Sequence, residues 1–248
     1  MGQAASVTAA LLVIGDEILS GRTPDQNIIY MADYLTKIGI DLREARVVPD
    51  VPAEIVAAVN ALRCRYDYLF TTGGIGPTHD DITADAVAAA LGVEISEDPR
   101  AIKLLLERIK PEDLNAARRR MARIPHGAAL VGNKISAAPG FWIDNVIVLA
   151  GVPAIMQAML DDVAPKLATG LPMIVETVTA GSLPEGAYAA ALGEIANASP
   201  ELTIGSYPAF WEGGFHNEIV VRGKDKTKVA AAAAAIRAML SRLTKASA

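Results

Sequence analysis

The sequence has few of the residues on which several classes of protein depend. Its single cysteine, Cys64, excludes a disulfide within the chain and is typical of a reducing compartment. Lysine and arginine number 23 against 28 acidic residues, and the resulting net charge of −5 gives no reason to expect nucleic acid as a partner. His126 and His216 lack neighbours at metal-ligand spacing, so the sequence predicts no zinc site.

Long apolar runs are absent as well. No run reaches the roughly 18 residues that span a membrane, and the first residues lack the basic segment and cleavage site of a secretory signal. We therefore expect a cytoplasmic protein with no membrane partner. Walker A and G-x-S-x-G patterns do not occur either, which weakens the P-loop and serine-hydrolase interpretations.

The apolar segments that are present alternate between strand and helix patterns. Buried strands are predicted at 9–14, 41–48 and 68–70, and each is followed by apolar residues at helical spacing. Paired strands are expected at 141–143 and 146–149. This order predicts an α/β fold, with a three-layer, doubly wound and mostly parallel sheet.

Two further helices are predicted between these strands, at 99–110 and 114–123. The second contains the only basic run, Arg118-Arg119-Arg120. Successive residues of a helix are about 100° apart, so these side chains would spread around the helix instead of forming one stripe. The spacing therefore favours a solvated surface over an anion-binding clamp.

The pattern changes near Leu171, where we place a domain boundary. Residues 1–170 form the predicted α/β domain. Residues 171–248 read as strand, helix, strand, strand and helix, which predicts a small α+β domain of βαββα type.

The segment TTGGIGPTHDD, Thr71 to Asp81, is the strongest functional signal. In an open α/β sheet, ligands bind beyond the carboxyl ends of the strands, and the loops at 15–21 and 48–50 should meet this segment there. Gly73, Gly74 and Gly76 can expose backbone N–H groups, which together would form a favourable nest for phosphate.

Acidic side chains in the same loops oppose a bare phosphate. Asp80 and Asp81, with Asp16 and Glu17 nearby, would repel it, and a divalent cation held by Asp16 and Asp81 would remove the conflict. Alternatively, an aspartate could orient a reacting hydroxyl or water. The plain structural alternative is that Asp81 caps a helix beginning at Thr83 while the glycines only make a turn.

Three segments together resemble a known family. They are GDEILSGRTPDQN at 15–27, the Thr71–Asp81 loop with its continuation ITAD, and APGF at 138–141. They resemble the N-terminal part of the competence/damage-inducible protein A family, a branch of the molybdopterin-binding domains, over roughly residues 8–168. The segments TIGSYPAF and EIVVRG extend the resemblance to the KH-like small domain of that family. The nicotinamide-mononucleotide deamidase domain of longer members would lie beyond Ala248, so we do not expect that activity.

The resemblance implies a fold that binds pterin or nucleotide-phosphate ligands. It assigns catalytic roles to Asp81 and Asp50. The residues expected to bind the ligand are Gly15, Asp16, Glu17, Ser20, Gly21, Asn27, Thr72, Gly73, Gly74, Gly76, Pro77, Thr78, Ser136, Pro139 and Gly140.

The resemblance and the acidic loops lead to a main expectation and two alternatives. The main expectation is a homo-oligomeric hydrolase that uses Mg²⁺, Mn²⁺ or Co²⁺ to cleave a nucleoside-diphosphate-linked small molecule such as ADP-ribose. The first alternative is a protein that binds molybdopterin or molybdenum cofactor without hydrolase activity. The second is a structural or regulatory oligomer with a vestigial pocket, which stays open because Met121, Ser136 and Ala150 depart from the family pattern.

Overall fold

The computed structural model describes residues 6–211 and 214–246, and the chain divides into two compact units, Met1–Gly170 and Leu171–Ala248. Short 3₁₀ turns at Pro111–Asp113 and Ala164–Lys166 supplement the regular elements of the first unit. Those elements are β1 (Val7–Ile14), α1 (Asp16–Leu19), α2 (Asn27–Lys37), β2 (Ile40–Val48), α3 (Pro52–Arg63), β3 (Tyr68–Thr72), α4 (Thr83–Leu91), β4 (Ile95–Glu97), α5 (Pro99–Leu106), α6 (Ala116–Arg120), β5 (Arg123–Pro125), β6 (Ala129–Val131), β7 (Gly140–Ile143), β8 (Val146–Leu149) and α7 (Pro153–Val163).

The first unit is built on a six-stranded sheet with the order β2-β1-β3-β8-β7-β6. Strands β2, β1, β3 and β8 pair in parallel, whereas β7 is antiparallel to both β8 and β6. The chain moves from β1 outward to β2 and then returns to the other side of β1 to form β3. This reversal creates a crevice between the carboxyl ends of β1 and β3, where ligands of such sheets bind. The predicted α/β fold with a mostly parallel sheet is confirmed.

Alternating side chains of β1 enter two separate cores, one on each face of the sheet, which is why its sequence is continuously apolar. Leu11 and Val13 face one core, and Leu12 and Ile14 face the other. On the first face, α2 and α7 contribute Met31, Leu35, Met156, Met159, Leu160 and Val163. On the second face, α3, α4 and α5 contribute Ile55, Val59, Leu62, Ala86, Val87, Ala101 and Leu105. Helices on both faces of the sheet make the three predicted layers.

The helix expected at 114–123 is much shorter in the structure. Asn115 begins it by accepting a hydrogen bond from the backbone N–H of Arg118 at 3.0 Å. The helix ends at Arg120, and Arg123 already lies in β5, where its guanidinium pairs with the carboxylate of Asp85. A second short sheet, β4 with β5, therefore replaces the last turn of the expected helix.

The second unit contains a three-stranded antiparallel sheet with two helices. Its strand order is β10-β11-β9, and its core includes Tyr188, Ile219 and Ile236. The elements are β9 (Ile174–Gly181), α8 (Glu185–Asn197), β10 (Thr203–Trp211), β11 (Gly214–Gly223) and α9 (Lys226–Ala246). The expected small α+β domain is confirmed. No helix in the described ranges combines the length and apolar character needed to cross a membrane.

Gly140 provides a test of how closely β7 and β8 pack. A Cβ atom at Gly140 would lie 2.2 Å from the carbonyl oxygen of Val148, whereas a Cβ atom at Gly132 would meet nothing within 4 Å. We expect Gly140→Ala to lower the free energy of unfolding by about 1–3 kcal/mol, as overpacking does. Gly132→Ala, the matched control, should stay within about 0.5 kcal/mol of wild type. Urea denaturation followed by circular dichroism measures both, and equal stabilities would show that β7 can shift away from β8.

Candidate functional site

The loops that follow the parallel strands meet at one edge of the sheet. The backbone N–H of Gly15 donates to the carbonyl of Val48 at 3.2 Å, which joins the ends of β1 and β2. The N–H of Gly73 donates to the carbonyl of Leu149 at 3.3 Å, which joins the ends of β3 and β8. Four strands thus end side by side, and their loops surround one cleft.

This cleft has a volume of about 720 Å³. Seven of the residues predicted to bind or react line it, namely Glu17, Gly73, Gly74, Gly76, Pro77, Asp81 and Ser136. Most of its other walls are apolar, and they include Leu105, Ile109, Met121, Ala137, Ala138, Val152, Ile155 and Met159. The cleft is therefore a largely apolar space whose lining also includes the glycine loop and a few polar side chains.

Gly73 and Gly74 are required by contacts within the protein. Both have positive φ, 102° and 65°, and added Cβ atoms would lie 2.1 Å from the carbonyl oxygen of Ile14 and 2.2 Å from Oγ1 of Thr83. Thr83 holds this turn, because its Oγ1 donates to the carbonyl of Gly73 and its N–H donates to that of Gly74. Since the N–H of Gly73 is already bonded to Leu149, that donor is not open to a phosphate.

Asp81 shapes the glycine loop from within. Its Oδ2 accepts hydrogen bonds from the N–H of Thr78 at 2.8 Å and from the hydroxyl of Thr78 at 2.5 Å. Its backbone carbonyl accepts from Nη2 of Arg120 at 3.1 Å. The position before α4 is Ile82, which makes no side-chain capping bond. Asp81 therefore closes the turn that precedes it and does not cap α4.

Asp50 connects the second loop to the first. Its Oδ2 accepts from the N–H of Asp16 at 2.9 Å. Burial raises the pKa of the Asp50 carboxyl, and the negative charges of Asp16, Glu17 and Asp80 raise it further, against the lowering effect of that hydrogen bond. Within the part of the chain that the structure describes, no three acidic, histidine or cysteine side chains form a group that could hold a metal ion.

Two predicted residues, Asn27 and Thr72, carry buried polar atoms without a partner among the described residues. Asn27 is only 4% exposed, and its Nδ2 donates to the carbonyl of Gly151, which lines the cleft, at 2.9 Å. Its Oδ1 and the Oγ1 of Thr72 are buried without a hydrogen-bond partner among the described residues. Such atoms are normally satisfied by a ligand or an ordered water.

The remaining predicted residues lie around the cleft without lining it. Ser20 and Gly21 form the exposed turn after α1, and Thr78 is held by Asp81. Pro139 and Gly140 are buried at the start of β7, where Gly140 packs against β8. Asp16, Asp50 and Gly15 lie at the ends of β1 and β2, next to the lining residue Glu17.

Two arginines at this site were not singled out from the sequence. Arg120 contacts the glycine loop through the carbonyl of Asp81, and its Nε is buried without a partner among the described residues. Arg108 lines the cleft and donates to the carbonyls of Lys134 and Ile135. Arg120 belongs to the basic run that the sequence analysis interpreted as a solvated surface. Arg108 lies in no recognisable motif.

The raised pKa of Asp50 predicts a pH-dependent stability. The unfolded chain releases this proton at a lower pH than the folded chain, so the wild type loses stability as pH rises through the folded pKa. Asparagine keeps an oxygen for the N–H of Asp16 but carries no charge. We expect Asp50→Asn to be more stable than wild type at pH 7, with a gain that shrinks as pH falls below that pKa. Thermal unfolding between pH 3.5 and pH 8 measures the difference.

Asp67 supplies a control of opposite sign. Hydrogen bonds from the hydroxyl and the N–H of Thr8, both at 2.7 Å, lower the pKa of the Asp67 carboxyl. Asp67→Asn should therefore lose stability at pH 7, and this loss should diminish as pH falls through the folded pKa. A loss of stability at pH 7 in Asp50→Asn as well would contradict the proposed origin of the Asp50 shift.

Comparison with known proteins assigns a family to the unit that contains the cleft. The family described as probable molybdopterin binding domain matches residues 10–169. The family described as FAD synthase, middle domain, matches residues 172–246. The second match leaves the KH-like character of the small domain as a prediction.

Individual relatives extend over most of the chain. A protein of Pyrobaculum arsenaticum is 34% identical over 216 residues, covering 83% of this chain and 82% of its own. One from Archaeoglobus fulgidus is 31% identical over 221 residues, covering 88% and 92%. The crystal structure of the protein CinA with unknown function, from Thermoplasma acidophilum, has 31% identity and a TM-score of 0.62 over 65% of this chain and 99% of that chain.

These findings correct the main functional expectation. The family that matches residues 10–169 is described by molybdopterin binding, so the interpretation as a metal-dependent ADP-ribose pyrophosphatase is wrong, and the first alternative fits better. The resemblance to competence/damage-inducible protein A is supported over the first unit by the similarity to CinA. By its first unit, which contains the glycine loop and the cleft, the chain belongs to the molybdopterin-binding domain family.

Proposed function

We propose that the first unit binds a molybdopterin-type ligand, a pterin that bears a phosphate group, in the cleft at the carboxyl edge of the sheet. The observation that carries the proposal is the cleft itself, which lies within the residues that match the molybdopterin-binding family. Its volume of about 720 Å³ is within the usual range of small-molecule sites.

The cleft walls suit a flat heteroaromatic ring. Leu105, Ile109 and Ile155 offer apolar surface, and Met121 and Met159 add thioether side chains. Sulfur makes favourable contacts with aromatic rings, and methionine adapts its shape to the ring that it meets. These side chains would exclude water from both faces of a pterin.

The polar groups at the glycine loop suit the edge of the same ring. A pterin presents adjacent N–H donors on its pyrimidine ring, and a carboxylate accepts two such bonds side by side. Glu17 and Asp81 both line the cleft, so their carboxylates are within reach of a ligand bound there. Carboxylates beside the glycines would thus meet ring N–H groups, and no metal ion is needed to reconcile them with the ligand.

The roles of the predicted residues within this proposal are binding and orientation. Asp81 and Asp50 hold the loops through Thr78 and through the N–H of Asp16. In this proposal Glu17, which lines the cleft, contacts the ring. Assembly into a homo-oligomer belongs to the same proposal, and light scattering after size-exclusion chromatography measures it.

Blocking the cleft tests the proposal. Val152 lines the cleft and is 57% exposed, so a larger side chain there should fill the cleft with little effect on folding. We expect wild type to bind 6-hydroxymethylpterin phosphate with a Kd of about 1–100 μM, and Val152→Trp to weaken this binding about tenfold or more. Pterin fluorescence anisotropy measures both.

Val175→Trp is the matched control, because Val175 is 50% exposed and lies on β9 of the second unit. It should bind like wild type. ADP-ribose, titrated in parallel, should compete weakly or not at all. Failure of the wild type to bind the pterin, or an unchanged affinity in Val152→Trp, would rule out pterin binding in this cleft.

A further inference from the structure

The charged residues of the cleft are separated by sign. The carboxylates that line it, Glu17 and Asp81, belong to the two loops that follow β1 and β3. Among the described lining residues, Arg108 is the one cation, and it belongs to a different part of the chain, the segment that follows α5. A ligand that carries an anionic group therefore meets opposite electrostatic environments in different parts of the cleft.

The loops that follow β1 and β3 offer an anion fewer donors than the sequence suggests. The N–H of Gly73 donates to Leu149, that of Thr78 to Asp81, and that of Asp16 to Asp50. Two of those acceptors are carboxylates, which also repel an anion. These three donors are occupied, and the carboxylates of Glu17 and Asp81, which line the cleft on these loops, disfavour a phosphate beside them.

The guanidinium of Arg108, by contrast, does not donate to a carboxylate among the described residues. Its Nη1 donates to the carbonyl of Ile135 at 3.0 Å and its Nη2 to that of Lys134 at 2.7 Å. Both acceptors are neutral. Six arginines in the described ranges pair with carboxylates instead, namely Arg46, Arg65, Arg100, Arg119, Arg123 and Arg237. The guanidinium of Arg108 keeps its positive charge uncompensated, with three of its five N–H groups unused in these two bonds.

The two bonds also place Arg108 beside a second donor. They tie the chain after α5 to the loop at 132–139, which Asn133 orders by accepting from the N–H groups of Ile135 and Ser136 at 3.1 and 2.5 Å. Ser136 follows directly and also lines the cleft. A guanidinium and a hydroxyl on one wall suit a phosphate monoester, because charge-assisted hydrogen bonds from arginine to phosphate are both strong and directional.

We propose that Arg108, with Ser136, binds the phosphate of the cleft ligand, and that the acidic side of the cleft binds its ring. This inference rests on the proposed function and goes beyond it, because it assigns the two ends of the ligand to different lining segments of the cleft. It also explains the carboxylates at the glycine loop, which face the uncharged end of the ligand.

Paired ligands test the assignment. Arg108→Gln removes the charge but keeps a hydrogen-bond donor for the loop. We expect it to weaken 6-hydroxymethylpterin phosphate by about 10- to 100-fold, and unphosphorylated 6-hydroxymethylpterin by less than about threefold. Arg108→Lys should give an intermediate loss, since lysine keeps the charge without the planar fork.

Arg118→Gln is the matched control. Arg118 also donates to a backbone carbonyl, that of Asp113 at 2.8 Å, but it does not line the cleft. It should bind both pterins like wild type. Equal losses for both pterins in Arg108→Gln would mean that Arg108 only supports the loop, and no loss for either would mean that it does not contact the ligand. Both results overturn the assignment.

A binding titration with inorganic pyrophosphate tests the role of Arg108 independently of the proposed pterin binding. If the wild type binds neither pterin, the proposed function fails, and calorimetric titration with pyrophosphate then decides about Arg108. Binding that Arg108→Gln weakens about tenfold or more, with Arg118→Gln unchanged, would support an anion site at Arg108. No binding by the wild type, or equal binding by wild type and Arg108→Gln, would overturn it.

Discussion

The close approach of backbones at Gly73 is the constraint on which the site depends. Its N–H completes the pairing of β3 with β8 by donating to Leu149, and a Cβ atom there would lie 2.1 Å from the carbonyl oxygen of Ile14 on β1. Only a residue without a side chain allows three strands to end so close together. The turn is then held by Thr83, which bonds the carbonyls of Gly73 and Gly74. The floor of the cleft is thus made by the sheet itself.

The polar residues around this floor have two different tasks. Asp81 and Asp50 use their carboxylates to hold loops, through Thr78 and through the N–H of Asp16. Among the described residues, Arg108 has no carboxylate partner. Glu17 lines the cleft and forms no ion pair with a described lysine or arginine. The first pair shapes the cleft, and the second pair gives its lining one negative and one positive side chain. A flat ligand with a neutral and an anionic end would be oriented by that difference.

Much of the first unit could be predicted because its signals are local. The run AALLVI at 9–14 indicates a strand buried on both faces, and helical spacing after each strand indicates a parallel sheet. The short β4–β5 pair was missed, because it joins two three-residue segments that are distant in the sequence, with Ile95 opposite Pro125 and Glu97 opposite Arg123. Arg108 was missed for the same reason, since its acceptors lie 26 and 27 residues further along.

The α/β class, the glycine loop at the end of β3 and the family resemblance could be read from the amino-acid sequence, because each is encoded in consecutive residues or in a short period. Which N–H donors of that loop remain open depends instead on the folded arrangement of the strands. The N–H of Gly73 looks available in the sequence and is occupied by Leu149, 76 residues away, because β8 pairs beside β3. Occupancy of a hydrogen-bonding group depends on its neighbours in space, and strand order places them there.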